Sequence, residues 1–325
     1  MQDTVITVAL VTYNQAKYIE KCIESILSQK VSVPFEILIH DDMSTDGTLE
    51  ILKKYAEDYP DVIRLMPEER NRFSEGMKAI IAELMLKECH GRYVSLLEGD
   101  DCFGDDSKLE KQYRIMTENE GISMCVGKTR IMDEAGNLLD EYMPARAIDG
   151  GRIKGDRIIK DICLLDTHYF HLSTMFLDLS YYQDYLDNPP SFITDSYIDD
   201  RSFMLYFASK GDIYYLPEEM SFYRSMAIGS WSAGVSASAY KHYKNDVDLR
   251  NVIHDFDEFT GGRYHEDIYV YETRLNYYIA LFEQDGREIF KERYKEFTKD
   301  FSIKQKIHYG ICYCFPFVGK LLRKK

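Results

Sequence analysis

Tyr93-Val94-Ser95-Leu96-Leu97-Glu98-Gly99-Asp100-Asp101 is the stretch that decides the fold. Tyr93–Leu97 has the length and character of a buried strand. It delivers two adjacent carboxylates to the point where an open α/β sheet holds its ligand crevice. Paired acids there suit a divalent cation, which takes hard oxygen ligands; a solvated acidic turn is the plainer reading of the same residues. A second strand, Phe35–His40, ends in Asp41-Asp42 and runs into Ser44-Thr45-Asp46-Gly47-Thr48, so two strand ends carry the same chemistry.

Outward from this stretch, strand and helix patterns alternate at short spacing through the first 130 residues, as a parallel sheet with crossover helices requires. Val5–Val11 reads as the first strand. The loop Thr12-Tyr13-Asn14-Gln15 leads to a helix whose Ile19, Cys22, Ile23, Ile26 and Leu27 form one buried stripe. Asp46 is placed to cap a helix over Thr48–Tyr59, which Pro60 ends. Val62–Met66 reads as a third strand and Glu75–Cys89 as a long helix stopped by Gly91, while Asp105 and Asp106 precede another helix as caps. From 122 to 180 the strands are expected to be short and to include an antiparallel hairpin about Asp133-Glu134-Ala135-Gly136-Asn137. Residues 199–210 read as a helix, Asp212–Leu216 as a strand, and 240–300 as mostly helical with an interruption at Gly261-Gly262.

With 325 residues, 45% of them hydrophobic, the chain can bury one large α/β domain with an appendage, or two modest domains. A net charge of −15 and a pI near 5.0 oppose binding to a phosphodiester polymer, so no nucleic acid partner is expected. One small diphosphate can still be held through a metal. Seven scattered cysteines without a C-x-x-C argue against a disulfide framework or structural zinc and fit a reducing compartment. The sequence shows no basic-led signal peptide and no apolar run of spanning length, which sets the expectation of a cytoplasmic protein.

Val8-Ala9-Leu10-Val11-Thr12-Tyr13-Asn14, then Asp41-Asp42-x-Ser44-Thr45-Asp46-Gly47-Thr48, then Glu98-Gly99-Asp100-Asp101 together resemble family 2 glycosyltransferases. The likeness continues through Lys108-Leu109 and Gln112 and returns at Asp199-Asp200, Gly211 and Met220-Ser221-Phe222-Tyr223-Arg224, covering roughly residues 5–232. It implies the GT-A fold, a Rossmann-like and mostly parallel α/β sheet flanked by helices, followed by a mainly helical C-terminal extension. The expected division is 1–235 for the transferase domain and 236–325 for the extension. Within the first, 1–121 would bind the nucleotide sugar and 122–235 face the acceptor. The implied reaction is inverting transfer of a sugar from a nucleotide-diphosphate donor, UDP-linked by expectation, to a hydroxyl of a glycan or lipid-linked acceptor in cell-surface polysaccharide synthesis.

Carried onto this chain, the resemblance gives Asp101 the cation, Mn2+ or Mg2+, and places Asp100 near ribose and metal. Asp42 would accept a hydrogen bond from the base, with Thr12 and Tyr13 beside it and the Tyr13 ring offered for stacking; satisfying turn and helix-start amides is the alternative for Asp41 and Asp42 and the reading taken for Asp46. Asp200, selected over Asp199 by its spacing to Gly211, is the candidate general base, with helix capping as the alternative. Arg224 would neutralise phosphate or make a structural ion pair. Relatives carry a histidine shortly after the Tyr-Arg pair, but the position here is Met226, a poor ligand for a hard cation. His168, His171 and Thr174 resemble an acceptor-side segment, and Trp231 either stacks on an acceptor sugar or packs in the core.

A catalytically silent scaffold that binds a nucleotide sugar or glycan is the rival reading. It draws on Met226 and on Cys102-Phe103-Gly104-Asp105-Asp106, which stands where relatives have an aromatic-rich segment ending in Asp-Pro. A dinucleotide oxidoreductase is disfavoured because no G-x-G-x-x-G follows the first strand. Residues 301–325 carry Lys304, Lys306, Lys320, Arg323, Lys324 and Lys325 and no acid. That asymmetry points to an anionic surface at the inner face of the plasma membrane, or to a tail packed on the catalytic domain.

Overall fold

β1 (Ile6–Thr12) is apolar at almost every position because both of its faces are covered: Ile6, Val8, Ala9 and Leu10 have no exposed surface. The computed structural model describes residues 4–165, 170–197, 199–225 and 238–322. In it β1 lies between the parallel strands β2 (Phe35–Asp41) and β4 (Tyr93–Glu98), with β3 (Ile63–Pro67) beyond β2. The register aligns Thr12 with Asp41 and Val11 with Glu98, so three loops leave the sheet side by side. α1 (Ile19–Leu27) lays Ile19, Cys22, Ile23 and Ile26 into the core beneath them. α2 (Thr48–Asp58) starts after Gly47, whose φ of 101° suits a residue without a Cβ, and the Asp46 carboxylate accepts the Thr48 N–H at 3.0 Å. α3 (Lys108–Glu118) begins likewise, with Asp105 accepting the Ser107 N–H at 2.7 Å.

β6 (Ile122–Met132) and β10 (Asp212–Arg224) form a second parallel pair. β7 (Leu138–Met143) is antiparallel to β6 across the expected turn, β8 (Gly151–Ile153) is antiparallel to β10, and the two-residue β5 (Cys102–Phe103) is antiparallel to the far end of β10. Between the two parallel sets runs β9 (Phe176–Asp178), antiparallel to both β4 and β6. Among the described residues the result is one ten-stranded sheet, eight strands in the order β3-β2-β1-β4-β9-β6-β10-β5 and two off this path, β7 on β6 and β8 on β10.

Sequence expectation and structure part at two places in this sheet's surroundings. No long helix covers Glu75–Cys89: residues 71–79 form turns and irregular chain, and helical backbone starts only at Ile80, as a π-turn (Ile81–Met85) and a 3-10 turn (Leu86–Glu88). Gly76 at φ +105° breaks the pattern, and the Asp42 carboxylate takes the amides of Arg72 and Phe73. In the second set β6 is long rather than short, and β10 does not stop at Leu216. It passes Pro217 through register shifts that act as bulges and continues to Arg224.

The chain divides into two compact units, Met1–Ile162 with Thr167–Ile228, and Cys163–Asp166 with Gly229–Lys325. Within the second, the helices Ala239–Phe259 and His265–Glu283 are separated by Gly261 and Gly262, both at positive φ. Tyr277, Ala280, Ile289 and Tyr294 form a small core there.

Lys108 is fully buried in the first unit, where its Nζ donates to Ser95 Oγ and Gln112 Oε1, each at 2.8 Å, and lies 4.1 Å from the Phe103 ring centroid. Burial pulls this amine down from 10.5 to about 7. Between those values the unfolded chain holds a proton that the folded chain has released, so this residue makes stability rise with pH across the window and adds no slope below it. Lys108→Met is expected to remove that slope, up to about 1.4 kcal/mol per pH unit. Urea denaturation of variant and wild type from neutral to alkaline pH measures the difference; parallel curves would show that the amine is not titrating there.

Candidate functional site

Beyond β4 the chain turns through Gly99-Asp100-Asp101 into β5. A Cβ on Gly99 would lie 2.4 Å from Gln15 Oε1 and 2.9 Å from both Ile19 Cδ1 and Thr12 Oγ1, so the absence of a side chain lets the acidic turn seat against the β1 loop. Asp101 is 2% exposed. Its Oδ1 accepts the Arg224 backbone N–H at 2.9 Å, while its buried Oδ2 has no hydrogen-bond partner and lies 3.4 Å from His171 Nδ1. Glu98, Asp101 and His171 each bring a ligand atom within 4.8 Å of the others. Burial, then the charges of Asp100 and Glu98, push the Asp101 carboxyl well above the ordinary carboxylate range, and burial raises Asp100 as well. Two carboxylates and an imidazole around an orphaned carboxylate oxygen fit a divalent cation, whose charge would relieve this crowding.

His171 reaches the acids because of topology. It precedes the 3-10 turn Leu172–Thr174 that leads into β9, and β9 runs opposite to β4, so the start of one lies beside the end of the other. A buried chain of hydroxyls then orients the ring. Thr129 Oγ1 is 3.0 Å from Ser221 Oγ, Ser173 Oγ donates to Ser221 Oγ at 2.9 Å, and His171 Nδ1 is 2.8 Å from Ser173 Oγ. The Tyr223 ring packs on the imidazole with centroids 4.1 Å apart.

Buried Arg224 aims its guanidinium at backbone carbonyls, with Nε on Asp100 at 3.0 Å and Nη1 on Asp133 and Glu134 at 3.2 and 3.0 Å; it lies 4.4 Å over the Tyr18 ring. It thereby ties the acidic turn to the β6–β7 turn. Asp42 is buried and accepts the N–H groups of Arg72 and Phe73 at 2.7 and 3.1 Å, anchoring that loop; its remaining lone pairs are what a base would use. The Thr12 carbonyl accepts the Asp42 N–H at 3.0 Å, and the neighbouring Tyr13 side chain is 49% exposed. Asp200 stands in the first turn of the helix Asp199–Lys210, its Oδ1 accepting the Arg201 N–H at 2.7 Å at the positive end of the helix dipole.

The structure places the two described residues of the acceptor-side segment as follows. Thr174 is fully buried, its hydroxyl closing the 3-10 turn on the His171 carbonyl at 2.9 Å, and His171 stands beside Glu98 and Asp101. His168, Met226 and Trp231 lie outside the described residues. Glu98 is the functional candidate that the sequence reading passed over, although its place as the last residue of the acid-bearing strand was the available signal.

Solved structures share this architecture. S. aureus TarS in complex with UDP-GlcNAc aligns over 94% of this chain and 78% of its own with a TM-score of 0.56 and 17% identity. The mannosyltransferase PcManGT from Pyrobaculum calidifontis, in complex with GDP-Man and Mn2+, aligns over 97% and 91% with a TM-score of 0.51 and 15% identity. The fold is therefore that of the GT-A glycosyltransferases, a mixed α/β sheet with flanking helices and a helical C-terminal region. The model of glycosyl transferase family 2 matches residues 7–179, and the chain belongs to that family. Among its relatives, an uncharacterized protein of Mycobacterium tuberculosis is 28% identical over 226 residues, 69% of this chain and 60% of that protein. TuaG of Bacillus subtilis, assigned to teichuronic acid biosynthesis, is 36% identical over 141 residues, 43% of this chain and 52% of its own. The chain thus spans about 60% of the mycobacterial relative's length.

Proposed function

We propose that this chain transfers a sugar, with inversion, from a UDP-linked donor to a hydroxyl of a glycan or lipid-linked acceptor in polysaccharide synthesis. The observation that carries this reading is the cluster of Glu98, Asp101 and His171 at the end of β4 and the entrance of β9, with the buried Asp101 Oδ2, which makes no hydrogen bond, facing His171 within it. Relatives and neighbours support it: TuaG is assigned to teichuronic acid biosynthesis, TarS is solved with UDP-GlcNAc, and PcManGT with GDP-Man and Mn2+.

Glu98, Asp101 and His171 would hold Mn2+ or Mg2+, which when bound supplies positive charge against a departing diphosphate. Tyr13 offers a ring face to the base, Asp42 an acceptor for its N–H, and Thr12 and Asp100 line the same loops. Arg224 holds the acidic turn in place. Asp200 takes the acceptor hydroxyl's proton while that oxygen bonds to the anomeric carbon from the face opposite the diphosphate. The bond to the diphosphate breaks, its electron pair leaves with the phosphate oxygen, and the configuration inverts without a covalent enzyme intermediate. A screen of UDP, GDP and TDP sugars with and without Mn2+ or Mg2+, read as nucleoside diphosphate release and product anomeric configuration, tests the proposal. UDP-sugar turnover that chelation abolishes is the expected result. Donor binding with no release under any condition would replace it with the silent-scaffold reading.

A further inference from the structure

The last helices present a surface that is both apolar and basic. Ser302 and Gln305 form a reciprocal capping box that fixes where the helix Ile303–Cys314 begins. Two glycines fix its roll. A Cβ on Gly286 would lie 2.3 Å from the Tyr313 nitrogen and 2.4 Å from the Tyr309 oxygen, and one on Gly319 would lie 2.3 Å from the Gln284 oxygen. Ile303–Cys314 and the following helix Pro316–Leu322 therefore sit backbone to backbone on the 284–286 corner, with Cys312 turned inward and 1% exposed.

With that side committed, Ile303, Ile307 and Ile311 recur every four residues on the opposite side and are 79%, 60% and 46% exposed. Phe315, Phe317 and Leu321 continue the apolar surface at 53%, 62% and 80% exposure. At about 100° of turn per residue, Lys304 and Lys306 fall on the two shoulders of the isoleucine stripe, and Lys320 stands next to Leu321. Residues 301–325 contain no acid, although the whole chain carries a net charge of −15. No helix among the described residues is long and apolar enough to cross a membrane.

We propose that this face docks flat on an anionic lipid bilayer, with the isoleucine stripe and the two phenylalanines entering the headgroup boundary and the lysines meeting lipid phosphates. Charge complementarity selects this occupant. Pairing the face with itself in a second copy would bring like charges together, whereas an anionic bilayer satisfies the apolar and the basic parts at once. Within their own unit the two helices pack through their glycine-bearing side and leave the large apolar side chains outward.

Sedimentation of the full chain with vesicles tests this, using equal parts phosphatidylglycerol and phosphatidylcholine against pure phosphatidylcholine. The chain should bind the mixed vesicles at low salt and the neutral ones at least about 10-fold more weakly, with high salt releasing it. Reversing charge at Lys304→Glu, Lys306→Glu and Lys320→Glu should lower partitioning by about 100-fold or more. Ile307→Ser with Phe317→Ser should lower it by about 30-fold, with thermal melting unchanged because both side chains are exposed. The salt titration of the unaltered chain stands independently of how the variants fold. The proposal is overturned by absence of binding to anionic vesicles at low salt, by equal binding to neutral ones, or by folded variants that bind as the wild type does. It is equally overturned if analytical ultracentrifugation shows a dimer that Ile307→Ser with Phe317→Ser dissolves while vesicle binding is absent.

Discussion

Asp101→Asn is expected to lower sugar transfer about 10³-fold or more at limiting Mn2+ or Mg2+, because the residue contributes the one cluster oxygen that is both buried and without a hydrogen-bond partner. The asparagine carbonyl can still accept the Arg224 N–H that Asp101 accepts at 2.9 Å, so the turn should keep its place. Initial rates across a cation titration, beside thermal melting of both proteins, separate the two effects. Turnover at the wild-type level under limiting cation would mean that the ion is held elsewhere.

The second large effect concerns the other end of the reaction. Asp200→Asn should slow kcat by about 10²-fold or more while leaving donor affinity nearly unchanged, the usual consequence of losing a positioned base. Asparagine can still accept the Arg201 N–H at the helix start, which guards against a merely structural loss. Rates at saturating donor and acceptor, with donor affinity from calorimetry, distinguish chemistry from binding. A collapse of donor binding with a normal saturated rate would assign Asp200 to the donor pocket or to capping.

The parts of the fold legible in the sequence were those encoded locally. β1, β2, β4 and α1 appear within a residue of expectation because each is specified by its own hydrophobic period and its own turn chemistry. The two acidic strand ends were readable for the same reason. The long helix over Glu75–Cys89 failed because the amides just before it, at Arg72 and Phe73, are claimed by Asp42, a partner that no local window contains. β10 looked finished at Pro217 because a bulge that carries a strand past proline depends on its neighbour β6. The company of His171 with Asp101 was not legible because it is set by strand direction. The antiparallel β9 brings the residues at its entrance to the edge where β4 releases those at its exit. Asp42 shows the limit from the other side: its carboxylate was visible as an acceptor, yet the amides that use it belong to a loop beyond the next strand.

Arg224, the last residue of β10, holds Asp101 through its N–H and Asp100 through its guanidinium, and 123 positions separate Arg224 from Asp101. On a ribosome the acidic turn is thus made long before the residue that fixes it. At about 5–20 residues per second, the delay is on the order of ten seconds. During that interval β1, β2, β3 and β4 can pair among themselves, while β5 waits for Ser221 and Phe222 and the turn before it waits for Arg224. A nascent chain therefore forms the loops of its first strands early and gains a seated pair of acids only when the final strand has emerged, so the acidic turn is completed late in the domain's synthesis.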